Sequence, residues 1–82
     1  DPRYSLSHFN LGIALRRKGD VDGAMAAHRE VIRLDPKDAK PHHELGLALM
    51  SKGDVGGAIA AFRESIRLDP KYALPHIGLG TG

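Results

Sequence analysis

Apolar residues recur along this chain at helical spacing. His8, Leu11, Gly12 and Leu15 fall at i, i+3, i+4 and i+7, and so share one face of a helix. Val21, Ala24, His28 and Val31 mark the inner face of a second helix. Between them, Lys18-Gly19-Asp20 breaks the pattern. Glycine suits the left-handed position that ends a helix, and Asp20 is placed to cap the next one. Asp35-Pro36 stops the second helix, because the residue before proline is pushed out of the α region. Asp38 is placed to cap a third helix. Pro41 and Pro75 lie in first turns, where a missing N–H costs little. The pattern predicts helices near residues 5–18, 21–34, 39–52 and 55–68, with a short one near 73–79.

The same pattern then repeats. Residues 2–35 aligned with residues 36–69 agree at 20 of 34 positions, too many for chance similarity of two amphipathic helix pairs. The shared core reads HxxLGxAL, KGDV and GAxAAxRExxIRLDP. It runs from His8 to Pro36 and again from His42 to Pro70. A third copy begins at Pro70, where His76, Leu79 and Gly80 repeat His42, Leu45 and Gly46. A fixed period of this size marks a solenoid, in which each unit covers the apolar face of its neighbour. The expected organisation is one domain over residues 1–82, with repeats at about 2–35 and 36–69 and a partial third at about 70–82.

The period, the Leu-Gly pair, the Gly-Asp turn, the later alanine and the Asp-Pro ending resemble the tetratricopeptide repeat, across almost the whole chain. The resemblance implies an all-α fold, a right-handed solenoid of antiparallel helix-turn-helix repeats. It places Gly12 with Ala24, and Gly46 with Ala58, at the small positions where the two helices of a repeat cross closely. Small residues there let helix axes approach toward ~8 Å. The sequence departs from the family where large aromatics are usual. Histidine stands at His8, His42 and His76, and the aromatic of the second helix is His28 in one copy and Phe62 in the other. Fewer large rings imply a less stable core.

The resemblance also implies a concave face lined by the first helices, receiving a peptide or helix of a partner. Carried onto this chain, the lining residues are Leu6, Phe9, Asn10, Ile13, Arg16 and Arg17 in the first repeat. In the second they are Lys40, His43, Glu44, Leu47, Met50 and Ser51, and in the third Leu74, Ile77 and Gly78. Independently of the family, Phe9, Ile13, Leu47, Met50 and Ile77 form a second apolar stripe off the Leu-Gly face, and a contiguous apolar patch marks an interaction surface. The alternative is that they touch the next helix in the stack. A carboxylate clamp, one ligand mode of the family, needs basic and amide groups where this chain has Phe9, Ile13, Glu44, Leu74 and Gly78. An asparagine ladder, another mode, finds only Asn10.

Other candidate chemistry is thin. His8, His42 and His76 recur at the repeat period, about 8–10 Å apart on neighbouring helices. A metal needs imidazole nitrogens within about 2.1 Å of one centre, so these read as packing residues rather than ligands. Gly19-Asp20 and Gly53-Asp54 lack the strand, lysine and hydroxyl of a phosphate loop. No nucleophile has an adjacent base, so no enzyme activity, cofactor or metal is expected.

Composition narrows the remaining classes. Twelve Lys and Arg oppose ten Asp and Glu, a net charge of +2 scattered along the chain, so a nucleic-acid partner is not expected. No apolar run reaches the ~20 residues needed to cross a bilayer. There is no cysteine, which fits a reducing compartment and makes the cytoplasm the default expectation. The chain starts at Asp1 without a methionine or a signal peptide and reads as a piece of a longer protein. Residues 73–82 carry no charge, although terminal repeats normally need a polar outer face. The alternative to peptide binding is therefore self-association, as a dimer or longer stack, through Leu74, Ile77 and Leu79.

Overall fold

A computed structural model describes residues 2–71. Four helices span most of them: α1 (Pro2–Lys18), α2 (Val21–Leu34), α3 (Ala39–Lys52) and α4 (Val55–Leu68), and Pro70 and Lys71 are helical as well. The last three keep the expected limits. α1 starts at Pro2 rather than near residue 5, because a proline at the first helical position gives up only an N–H that would lack a partner there. The short helix expected near 73–79, with Pro75, His76, Gly78 and Gly80, lies outside the described residues.

The two tight turns are built alike. Gly19 and Gly53 take φ of 100° and 88°, the left-handed conformation that only glycine adopts freely. Each turn then closes with the paired bonds of a Schellman motif. Asp20 N–H donates to the Leu15 carbonyl at 2.8 Å, and Asp54 N–H to that of Leu49 at 2.9 Å. The same two aspartates cap the helices that follow, accepting from Gly23 N–H at 2.9 Å and Gly57 N–H at 3.0 Å. The capping carboxylates lie so close that a Cβ on Gly57 would meet Asp54 at 2.6 Å, and one on Gly23 would clash with Asp20. Asp38 caps α3 by accepting from Lys40 N–H at 3.1 Å.

Each helix packs against the next in sequence, α1 on α2, α2 on α3 and α3 on α4. Gly12 and Gly46 are buried under the rings of His28 and Phe62, where an added Cβ would come within 2.6 Å. Ala24 and Ala58 are wholly buried. The seam between repeats is apolar: Met25 packs with Ala48, Leu49, Ala58 and Ala61, flanked by Val21, Leu45 and Phe62. One buried polar contact ties the second repeat, the Ser65 hydroxyl donating to the Ala39 carbonyl at 3.0 Å. α1 also touches α3, whereas the backbones of α2 and α4 stay farther apart and join only through the Met25 cluster. The stack therefore bends toward the odd-numbered helices.

Candidate functional site

The bend makes α1 and α3 the inner wall. Of the residues expected to line it, Leu6 and Met50 are exposed, at 58% and 50%. Asn10, Arg17, Lys40 and Ser51 are exposed as well, and Ile13, Leu47, Arg16 and Glu44 are half-buried. Arg16 and Glu44 face each other between the two helices at 3.9 Å, too long for a hydrogen bond, and Arg16 Nε and Glu44 Oε1 have no hydrogen-bond partner. Leu74 and Ile77 lie outside the described residues, as does Leu79 of the expected self-association end.

Phe9 and His43, which occupy equivalent positions in the two repeats, turn toward the packed interior. Phe9 meets the edge of the His28 ring at a centroid distance of 5.5 Å, and buried His43 tilts against Phe62 at 5.4 Å. Each of these contacts therefore pairs one phenyl with one imidazole, with their helices exchanged. His28 is fully buried and neither ring nitrogen has a partner. Burial, with the Arg16 charge as a lesser cause, pushes its pKa down to about 4. The imidazole is thus neutral near pH 7 and serves as a ring.

A recess of 490 Å³ opens at one end of the inner wall. Ser5, Leu6 and Phe9 of α1 form one side, and Val31, Leu34 and Asp35 at the end of α2 form another. Asp38 and Lys40 complete it from the start of α3. The floor is apolar and the rim carries two carboxylates and one ammonium. Leu6, Phe9 and Lys40 were expected at a binding surface from the sequence. Val31, Leu34, Asp35 and Asp38 were not, because the recess exists only where three helix ends converge and no linear spacing marks it.

His8 Nδ1 sits 3.1 Å from the Tyr4 carbonyl, and its ring lies over Tyr4 at 4.3 Å. No group of three His, Asp or Glu side chains converges among the described residues. No helix there is long and apolar enough to cross a membrane. On the outer helices, Glu30 pairs with Arg33 and Glu64 with Arg67, and each guanidinium holds its carboxyl below the ordinary range. Compared with known proteins, residues 12–53 and again 46–81 match a family model described as TPR repeat. No curated protein sequence matches the chain.

Proposed function

We propose a binding role on the premise that this chain belongs to the tetratricopeptide-repeat family, whose repeats are not catalytic and mediate protein–protein interaction. It acts as a scaffold module, holding a peptide or helix of a partner protein along the wall of α1 and α3. The observation that carries this reading is the recess beside Leu6 and Phe9. It offers an apolar floor for one side chain of the partner, and the carboxylates of Asp35 and Asp38 at its rim favour a basic neighbour to that anchor. Beyond it, Ile13, Leu47 and Met50 continue the apolar contact, and the half-buried Arg16 and Glu44 add a charge of each sign beside them.

The test is a peptide-array selection followed by calorimetric titration of the peptides recovered. Leu6→Glu and Leu47→Glu should each weaken binding at least about tenfold, the loss of one buried anchor being worth more than ~1.4 kcal/mol. Arg63→Ala, exposed on α4, should leave binding unchanged. Equal binding by all three variants would place the contact elsewhere on the molecule.

A further inference from the structure

The two repeats agree at 20 of 34 aligned positions, and ten of the fourteen differences fall in the first half of the unit. The Leu-Gly, Gly-Asp and Asp-Pro positions that fix crossings and turns are kept. The recess gathers positions that change. Ser5, Leu6, Phe9 and Val31 line it in the first repeat, and the equivalent positions of the second hold Ala39, Lys40, His43 and Ser65. The Ser65 hydroxyl is already bonded to the Ala39 carbonyl, and Lys40 puts a cation where Leu6 offers an apolar surface. Both repeats form the same helix pair, so folding does not require this difference. It makes the recess, which helices of the described chain close on three sides, unlike its counterpart.

Charge also changes sign along α1. At the recess, Asp35 accepts from Lys37 N–H at 3.4 Å and Asp38 from Lys40 N–H at 3.1 Å, but neither carboxylate meets a cationic side chain among the described residues. Lys40 on the rim offsets one of the two charges. Arg17 lies eleven residues beyond Leu6, three turns on and so on the same face of the helix. It is exposed and has no ionic partner among the described residues, whereas Arg16 beside it is set against Glu44. On the reading that α1 and α3 form the binding wall, we infer that the partner is a segment of ordered charge. A bulky apolar residue with a Lys or Arg beside it fills the recess, and a carboxylate about 16 Å further along meets Arg17. The opposite order sets like charges together at both ends, a carboxylate against Asp35 and Asp38 and a cation against Arg17. The wall therefore selects one chain direction by repulsion as well as attraction.

Two fluorescein-labelled peptides of one composition test this on the full chain by anisotropy titration. The first carries Leu-Lys-Lys at one end and Glu-Glu about five residues on, which spans the distance as extended chain. The second exchanges the Lys and Glu positions. The first should bind at least about tenfold more tightly, and the ratio should shrink toward one at ~0.5 M salt. Arg17→Glu should weaken the first peptide about tenfold and leave unchanged a shortened peptide that lacks Glu-Glu. Circular dichroism checks that the variant is folded, and Arg17→Gln, which removes only the charge, takes its place if it is not. Equal affinity for the two peptides, lost for both in Leu6→Glu, overturns the charge order while keeping the wall as the binding face. Equal affinity that Leu6→Glu does not change overturns both. Binding of neither peptide at millimolar concentration overturns the charge order, and the peptide-array selection then decides the wall by itself.

Discussion

The exchange of rings between the two repeats decides how single residues behave. Phe9 against His28 and His43 against Phe62 fill equivalent space with the same two ring types in opposite order. Imidazole fills that space only when neutral. In the unfolded chain His28 takes up a proton near pH 6.5, while in the fold it does so only near 4. The unfolded state therefore binds more protons between these values, and stability is highest above pH 6.5 and falls as the pH drops toward 4. The loss amounts to about 3 kcal/mol. His28→Phe should remove this component of the pH dependence, read as the difference in urea midpoints between variant and wild type at pH 7.5 and pH 4.5. A second contrast concerns glycine. Gly46→Ala brings a Cβ within 2.6 Å of the Phe62 ring and should cost ~1–3 kcal/mol. Gly56→Ala meets nothing within 4 Å and should gain up to ~1 kcal/mol from helix propensity. Thermal unfolding of the two variants separates them by sign. The small crossing positions came from the family resemblance, which the Leu-Gly pair and the later alanine carry. The ring exchange was not legible in the sequence. Helical spacing places Phe9 and His43 off the Leu-Gly face, and only the close crossing at Gly12 and Gly46 brings the opposite rings within reach of them.

At the scale of the helix, ends were more legible than faces. Gly-Asp stops one helix and caps the next, and Asp-Pro ends the outer helices, so three of the four helices have the limits the sequence predicts. The chemistry of those ends is local and needs no tertiary knowledge. What the sequence hid was the reason for Gly23 and Gly57, which open the repeated GAxAA run there. Each lies where its own Cβ would strike the capping carboxylate. Asp54→Ala should therefore cost ~1 kcal/mol by losing the Gly57 N–H bond, with faster amide exchange confined to the first turn of α4. Ser65→Ala should cost a similar ~1 kcal/mol through a different bond, the buried one to the Ala39 carbonyl. Its exchange signature should instead appear where α3 begins.

For the molecule as a whole, one apolar seam joins two helix pairs. A solenoid's stability is the sum of its repeats and the interfaces between them. Met25 is buried in that seam, at 6% exposure, and Met25→Ala should cost ~2–5 kcal/mol. The same substitution should split one unfolding transition into two, visible as separate amide-exchange protection in residues 2–34 and 39–68. Stacking was readable from the 34-residue period, but the recess and the bend were not, since both depend on how far each helix leans on the next. The bend has a mechanical consequence. α1 and α3 are in contact while the backbones of α2 and α4 stay apart, so on the outer side the Met25 cluster, which includes Ala58 and Ala61, is what joins the even-numbered helices. The molecule is a short spring whose fold line runs along its inner wall. A load drawn between its two ends would part the outer side first, at the Met25 seam, while the intrahelical hydrogen bonds remain intact.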